Sequence, residues 1–226
     1  MTSLKALAAA KVNLFLHVGP VKPNGRHDLD SLVVFSDDHL ADDLQAEPAD
    51  TLTLEVNGPF AGEVGALDDN LVLRAAKALQ VMSGTVRGAR LTLTKRLPVA
   101  AGIGGGSSDA AAALRLLTML WKIDPAHAEA LAPSLGGDVP VALGGVPALM
   151  RGEGEQVVAA HVPPGIPALL VNPLVACPTG PVFRAFDAAG GGDDFALIDP
   201  FPDFLGRDPV SYTHLRAHET KANLVC

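Results

Sequence analysis

A glycine-rich segment with two serines constrains the fold of this chain more than any other feature. The segment reads KRLPVAAGIGGGSSDAAAA from Lys95 to Ala113, and it runs directly into an alanine-rich helix predicted from about Ser108. Glycine lacks a Cβ, so the backbone can adopt positive φ and bring several N–H groups close to one anion. The first-turn N–H groups of the helix would point at the same place, and a serine hydroxyl could cap the helix. The candidate phosphate contacts are Pro98, Gly102, Gly104, Gly105, Gly106, Ser107 and Ser108.

The order of residues in this loop excludes the two commonest glycine-rich nucleotide sites. A P-loop needs Lys followed by Ser or Thr after its last glycine, but here two serines follow Gly106. A dinucleotide fingerprint would need a third glycine at position 107, inside a βαβ unit. A flexible loop that binds nothing is the remaining alternative, and the long helix former that follows the serines argues against it.

Five separated blocks of the chain resemble one enzyme superfamily. PVAAGIGGGSSDAAAAL resembles the signature loop of the GHMP small-molecule kinases. AAAKVNLFLHVGPVKPNGRHDLDSL from Ala8, DNLVLRAA from Asp69, LGGDVPVALGG from Leu135 and VNPLVACPTGPVFRAF from Val171 resemble, in the same order, one branch of that superfamily. Its substrate is a cytidine diphosphate conjugate. The resemblance extends from about residue 5 to about residue 207.

The resemblance implies both a fold and an activity. It implies an α+β, two-domain GHMP kinase fold, with an N-terminal ribosomal-protein-S5-domain-2-like domain and an incomplete C-terminal ferredoxin-like domain. It further implies ATP-dependent phosphorylation of the C2 hydroxyl of a methylerythritol group carried on cytidine diphosphate, a step of non-mevalonate isoprenoid synthesis. The alternatives are another GHMP kinase, of the mevalonate or homoserine type, and a non-catalytic nucleotide-binding remnant.

The domain organisation follows from the same blocks. We expect a nucleotide-binding kinase domain over residues 1–155 and part of a substrate domain over 156–208. From Asp208 onward, DPVSYTHLRAHETKANLVC does not match the family, so residues 209–226 are expected to be a non-native tail; a genuine divergent terminus is the alternative. Periodicity predicts strands over 12–18, 32–35, 52–56 and 89–95, and helices over 70–82, 108–120 and 126–132.

Two charged residues are the candidate catalytic groups. Asp138, in LGGDVP, is expected at a helix start, where a carboxylate could simply cap the helix. Lys11 begins an apolar strand and could be no more than its solvated end. The resemblance implies instead that Asp138 is the catalytic base. It also implies that Lys11 pairs with Asp138 and with the acceptor hydroxyl.

Substrate binding is carried over from the resemblance residue by residue. Asn13 follows Lys11 on the same strand face and would hydrogen-bond the substrate. His27 matches a histidine that contacts cytosine, although a surface histidine in a turn is the alternative. Arg26 replaces the family's tyrosine, and its guanidinium plane could still stack on a base. Thr179 and Phe183 match residues around the nucleobase, but Phe183 could equally be a core residue.

ATP and Mg²⁺ are the cofactors that the resemblance implies. Asn70 and Lys95 match positions around the adenine and the phosphates, and Asn70 could equally be a helix N-cap. Mg²⁺ would neutralise charge between the phosphates. No carboxylate is an obvious metal ligand, and Asp109 is a weak candidate.

Composition agrees with a cytoplasmic enzyme acting on a small molecule. The chain is 48% hydrophobic and 19% charged, and its net charge of −8 argues against a nucleic-acid surface. Two cysteines, Cys177 and Cys226, provide no disulfide framework. Lys11 interrupts the N-terminal apolar run too early for a signal peptide, and no run is long enough for a membrane helix. The sequence predicts no oligomeric state.

Overall fold

The computed structural model describes residues 3–172, 175, 177–195 and 197. The expected tail at 209–226 therefore lies outside the described residues. Strands and helices alternate irregularly along the chain, which confirms the predicted α+β class. The strands are β1 (Leu4–Ala9), β2 (Lys11–Val21), β3 (His27–Phe35), β4 (Ala41–Ala49), β5 (Leu52–Asn57), β6 (Gly88–Thr94), β7 (Ala148–Gly152) and β8 (Gln156–Ala159). The helices are α1 (Leu71–Ser83), α2 (Gly105–Trp121), α3 (Ala126–Leu135), α4 (Val139–Gly144) and α5 (Thr179–Ala188).

The described chain divides into two compact units, both discontinuous in sequence. The first comprises residues 3–12, 35–99 and 103–145, and the second comprises 13–34, 100–102 and the described residues from 146 onward. The predicted domain boundary at residue 155 stays a prediction.

A four-stranded sheet in the order β1-β4-β6-β5 forms the frame of the first unit. The β4–β6 pair is antiparallel and sets Leu44 opposite Leu93, whereas β5 runs parallel to β6 and sets Leu54 opposite Leu91. Every second residue of a strand points to the same face, so Leu91 and Leu93 lie together on the buried face of β6. This leucine face is the floor of the larger core.

Helix α2 forms the centre of that core. Its alanines from Ala110 to Ala113 are completely buried, and the helix packs against α1, α3, α4, β1 and β4. Small side chains let a helix approach its neighbours closely, because no bulky group holds the backbones apart. The alanine-rich run that follows the glycine loop is therefore held between the sheet and three other helices.

A second four-stranded sheet, in the order β2-β3-β7-β8, organises the second unit. Its core is small: Phe15, Leu32 and Leu149 are buried together. Strands β3 and β7 are antiparallel, with Leu32 opposite Leu149. Helix α5 belongs to the same unit.

Most predicted elements are present, and the differences have local causes. Helix α2 begins at Gly105 rather than near Ser108, because Gly104 adopts a left-handed conformation and the glycines after it are already helical. Strands β1 and β4 were not predicted. The β1 sequence, LKALAA, consists of residues that favour helix, and β4 contains Asp42, Asp43 and Pro48, which disfavour strand. Pairing with neighbouring strands overrides these local preferences. Strands β7 and β8 and helix α5 were not predicted either.

Among the described residues, no helix combines the length and the apolar character needed to cross a membrane.

Replacing Ala111 with leucine should overpack α2. Ala111 is completely buried, so the added atoms have no room, and we expect the free energy of unfolding to fall by about 1–3 kcal/mol. Urea denaturation measures this loss. Met119→Leu on the same helix is the control, because Met119 is 65% exposed and should change stability by no more than about 0.5 kcal/mol. Equal stability of the two variants would contradict the packing described for α2.

Candidate active site

The glycine loop, residues 98–106, follows β6 and ends in the first turn of α2. Its backbone has positive φ at Ala100, Gly102 and Gly104. Gly104 also lies against Lys11: the Lys11 N–H donates to the Ile103 carbonyl over 2.8 Å, and a Cβ at position 104 would come within 3.0 Å of the Lys11 Cβ. Positive φ and close approach together require glycine at this position.

The N-terminus of α2 has no side-chain cap. The N-cap residue is Gly104, so the prediction that a serine hydroxyl caps this helix is wrong. Ser108 lies within the helix and is buried, and its hydroxyl oxygen has no hydrogen-bond partner in the part of the chain that the structure describes. First-turn N–H groups together with an unpartnered hydroxyl are groups suited to bind an anion.

Lys11 and Asp138 form an ion pair, although 127 positions separate them in the chain. Lys11 is the first residue of β2 and is 6% exposed, and its Nζ donates to Asp138 Oδ1 over 2.8 Å. It is therefore not a solvated strand end. Asp138 is the N-cap residue of α4, but its carboxylate makes no capping hydrogen bond. The capping interpretation of Asp138 is therefore wrong.

Arg115 of α2 holds the far end of α4. Its guanidinium donates to the carbonyls of Ala142 and Leu143 over 2.7 and 3.3 Å, and to that of Leu7 in β1 over 3.3 Å. A cation at the C-terminus of a helix satisfies its last carbonyls and complements its dipole. Burial lowers the pKa of Arg115. Helix α4, which Asp138 precedes, is thus fixed to α2.

Three buried charges lie at the base of the glycine loop. Lys95 Nζ contacts Asp42 of β4 and donates to Asp109 of α2 over 2.7 Å. The exposed fractions are 4% for Lys95, 0% for Asp42 and 3% for Asp109. Lys95 was predicted to contact the nucleotide, but the structure places its ammonium between two carboxylates. Sequence reasoning missed Asp42, because the segment Ala41–Ala49 was not predicted to be a strand and nothing in its pattern distinguishes the buried aspartate from the other acidic residues.

The pKa values in this cluster follow from burial and mutual charge. Burial raises the pKa of Asp109 to about 7; the ammonium of Lys95 opposes this rise, and the charge of Asp42 adds to it. For Lys95, burial alone would lower the pKa, but Asp109 and Asp42 outweigh burial and raise it. Lys95 therefore stays charged at neutral pH, while Asp109 is partly protonated.

Asn70 caps α1. Its Oδ1 accepts a hydrogen bond from the Val72 N–H over 2.8 Å, so the N-cap interpretation is confirmed. Its contact with the nucleotide stays a prediction.

The predicted substrate residues lie in the second unit. Asn13 Nδ2 donates to Ser31 Oγ over 2.6 Å. His27 is the first residue of β3 and is 5% exposed, so the interpretation as a surface histidine is wrong. Its Nδ1 lies 2.9 Å from the Gly19 carbonyl, and its ring stacks on Phe183 with centroids 5.1 Å apart.

Arg26 and Thr179 are more exposed. Arg26 Nη1 donates to Glu153 Oε2 over 3.3 Å, and Glu153 was not singled out from the sequence. Thr179 is the first residue of α5, and Phe183 lies one turn further along the same helix. The binding roles of these residues stay predictions.

In the described residues, no group of three or more His, Cys, Asp or Glu side chains could hold a metal ion. Asp109, the weak candidate ligand, is instead bound to Lys95.

Comparison with known proteins gives consistent results. The family "GHMP kinases N terminal domain" matches residues 70–152. A 4-diphosphocytidyl-2-C-methyl-D-erythritol kinase of Hyphomonas neptunium is 69% identical over 204 residues, which are 90% of this chain and 68% of that protein. The kinase of the same name from Paramagnetospirillum magneticum is 52% identical over 188 residues, 82% of this chain and 65% of that protein.

Solved structures support the same fold. A crystal structure of 4-(cytidine 5'-diphospho)-2C-methyl-D-erythritol kinase has a TM-score of 0.64 and 38% identity, and the match covers 85% of this chain and 68% of that one. A homoserine kinase from Cytophaga hutchinsonii has a TM-score of 0.52 at 20% identity, covering 72% of this chain and 53% of that one. This second likeness shows the fold alone.

Fold and site thus define a kinase of the GHMP type. The chain belongs to the family of 4-diphosphocytidyl-2-C-methyl-D-erythritol kinases. It spans 68% and 65% of the lengths of the two curated relatives described above.

Gly104→Ala should destabilise the first unit more than Gly84→Ala. The φ angles are +66° at Gly104 and +67° at Gly84, so both variants place alanine in a left-handed conformation at a cost of about 1–2 kcal/mol. Only at Gly104 does the new Cβ meet Lys11; nothing lies within 4 Å at Gly84. Urea denaturation should show the larger loss for Gly104→Ala. Equal losses would contradict the close approach to Lys11.

Asp109→Asn should change how stability depends on pH. The unfolded carboxyl titrates near 3.8 and the folded one near 7, so between these values the folded state holds a proton that the unfolded chain has released. Stability from this group therefore falls as pH rises through that window. The variant lacks this titration, so its stability relative to wild type should rise from about pH 4 to about pH 7 in urea denaturation. The exposed Asp68→Asn is the control, and a flat difference for Asp109→Asn would refute the assigned pKa direction.

Proposed function

We propose that this chain transfers the γ-phosphoryl group of ATP to the C2 hydroxyl of 4-diphosphocytidyl-2-C-methyl-D-erythritol. The ion pair of Lys11 with Asp138, beside Gly104 of the glycine loop, is the observation that carries the proposal. It brings a carboxylate base, a cation and Gly104 of the phosphate-binding loop into one region of the first unit. Phosphoryl transfer depends mainly on positioning and on electrostatic stabilisation, which these groups supply.

Asp138 is the proposed general base. Its Oδ1 accepts from Lys11, and its Oδ2 would take the proton of the C2 hydroxyl as the new O–P bond forms. The bond from the γ-phosphorus to the bridging oxygen breaks, and ADP leaves. Lys11 fixes the carboxylate and offers positive charge to the transferring group, which carries negative charge on its equatorial oxygens.

The glycine loop and the first turn of α2 are the proposed phosphate site. Gly104, Gly105 and Gly106 supply backbone N–H groups without obstructing side chains, and the buried Ser108 hydroxyl has no partner among the described residues. Asn70 is the proposed adenine contact. Mg²⁺, when bound, would neutralise phosphate charge; since the described residues contain no cluster of metal-ligating side chains, the nucleotide and water would supply its ligands.

The cytidine end of the substrate is assigned to residues of the second unit. His27 is buried and stacks on Phe183, which is only half-buried, so the ring of Phe183 is the part of this stack that can meet a pyrimidine ring. Arg26, held by Glu153, offers a guanidinium plane, and Thr179 offers a hydroxyl at the start of α5. Asn13 is assigned to the methylerythritol end. We further propose that the enzyme works in the cytoplasm.

The two alternatives are less well supported. A non-catalytic remnant would have no need to keep Lys11 and Asp138 paired. A mevalonate or homoserine kinase would share the loop, but the 69% identity to a kinase of the cytidine diphosphate conjugate favours that substrate.

Asp138→Asn should lower kcat by about 10²- to 10⁴-fold, because asparagine cannot accept the proton of the acceptor hydroxyl. A coupled assay of ADP release with 4-diphosphocytidyl-2-C-methyl-D-erythritol measures the loss. Asp124→Asn is the matched control, since Asp124 precedes a different helix of the same unit and is outside the proposed site. Activity of Asp138→Asn within tenfold of wild type would remove Asp138 as the base.

A panel of acceptors separates the substrate classes. Stimulation of ADP release by the cytidine diphosphate conjugate, and not by mevalonate or homoserine, supports the proposed substrate. ATP binding without turnover on any acceptor would favour the non-catalytic alternative.

A further inference from the structure

The cluster of Asp42, Lys95 and Asp109 has no part in the transfer step proposed above. All three residues are at least 96% buried in the first unit, so they carry charge into the core. Buried charges are costly unless they are paired and hydrogen-bonded. A cluster retained under the glycine loop at such a cost calls for a physical explanation.

Asp42 holds the chain where the glycine loop begins. Its Oδ1 accepts from the backbone N–H of Arg96 and, over 2.7 Å, from that of Leu97. Its Oδ2 contacts the Lys95 ammonium. One carboxylate of β4 thus fixes three successive residues immediately before Pro98, the first residue of the loop.

Lys95 extends this hold to the far end of the loop. Its Nζ donates to Asp109 Oδ2 over 2.7 Å, and Asp109 lies in the second turn of α2. A Cβ added at Gly105 would lie 3.3 Å from the same Nζ, so the ammonium sits directly beneath the N-terminus of α2. The cluster therefore ties together the two ends of the segment that forms the proposed phosphate site.

A direct contact between Lys95 and the phosphates fits this geometry poorly. The ammonium already donates to two carboxylates and is almost completely buried. If it moved to a phosphate, Asp42 and Asp109 would remain buried without their counter-charge. Lys95 acts through the loop, as a positioning residue.

The charge of the cluster is unbalanced. Two carboxylates and one ammonium sum to a net charge of −1 when all are ionised, and a proton on Asp109 brings the sum to zero. The second oxygen of Asp109, Oδ1, is buried and has no hydrogen-bond partner within the described chain. A proton can therefore be added to this oxygen without displacing Lys95, which binds Oδ2. The charged groups that act on Asp109 are Lys95 at the end of β6 and Asp42 of β4. An anion bound above the cluster would favour its neutral form, because like charges repel strongly in a poorly solvated site.

We propose that Asp42, Lys95 and Asp109 form a clamp that positions the glycine loop for its phosphate ligand, and that binding of a nucleoside triphosphate drives uptake of a proton by Asp109. The first half stands on the geometry of the chain alone. The second half rests on the proposed function.

Loop positioning is tested without nucleotide, by hydrogen–deuterium exchange of the full chain. Asp109→Ala removes the link from Lys95 to α2 but leaves Lys95 paired with Asp42, so the variant keeps a neutral buried pair. We expect backbone amides of residues 99–108 to exchange about tenfold faster or more than in wild type, because local opening costs less. The matched control is Asp68→Ala, which removes the exposed pair of Lys77 with Asp68. Unchanged exchange in the loop of Asp109→Ala overturns the clamp.

Proton uptake is tested with a non-hydrolysable ATP analogue by titration calorimetry in buffers of different ionisation enthalpy. Wild type should take up a proton on binding above about pH 7, and its affinity should fall by up to about tenfold per pH unit there. Asp109→Asn keeps the shape of the side chain and cannot titrate, so both effects should disappear while binding near pH 6 is retained. Proton uptake that persists in Asp109→Asn overturns this half of the proposal.

The two tests separate the clamp from the proposed function. If wild type fails to bind the analogue at any pH, the nucleotide-binding function and the proton uptake both fail, and hydrogen exchange still decides the clamp. If wild type binds the analogue and Asp109→Ala shows no faster exchange in the loop, the clamp is wrong and the function stands. A kinetic check is that Asp109→Ala should raise KM for ATP more than it lowers kcat, a split that a loss of global stability would not produce.

Discussion

The burial of α2 is the constraint on which the rest of the first unit depends. Its alanines from Ala110 to Ala113 allow close packing on β1, β4 and the neighbouring helices, so the helix has little freedom to shift. Because α2 is fixed, the glycine loop before it must end at one place, and Gly104 must adopt a left-handed conformation beside Lys11. The same helix carries Arg115, which binds the last carbonyls of α4, the helix that Asp138 precedes. A single buried helix thus determines where the proposed phosphate site and the proposed base can lie.

The charged groups around this helix form two sets: an ion pair whose carboxylate is accessible to solvent, and a buried cluster. Lys11 with Asp138 forms a balanced pair whose carboxylate side chain remains 32% exposed, as a group that meets a substrate must be. Asp42, Lys95 and Asp109 form an unbalanced cluster with almost no exposure, which burial drives toward partial protonation. The first arrangement suits proton transfer to a ligand, and the second suits the internal control of backbone position. Both use Lys and Asp, so residue type alone does not distinguish them, but exposure and charge balance do.

Much of the fold was predictable because local patterns and tertiary packing agree over α1, α2, α3, β5 and β6. The failures occur where they disagree. Strand β1 consists of residues that favour helix, and β4 contains two aspartates and a proline, yet pairing with neighbouring strands makes both extended. The same disagreement concealed Asp42, because a segment that contains charged residues and few strand-forming residues is usually interpreted as a loop. From the sequence, Asp109 was singled out only as a weak candidate metal ligand, because its partner Lys95 follows β6 and the neighbouring charge of Asp42 comes from β4.

The sequence by itself contained the five blocks that resemble a known family of kinases. It also determined the glycine loop, the helix after it and the α+β class. These follow from features that act over a few residues: the missing Cβ of glycine, the helix propensity of alanine, and hydrophobic periodicity. The resemblance already implied that Lys11 pairs with Asp138, and the ion pair confirms it. Only the tertiary structure decided that Asp138 does not cap α4 and that Lys95 lies buried between Asp42 and Asp109. The physical reason is that a charged side chain takes its role from burial and from partners that the fold brings to it from distant parts of the chain.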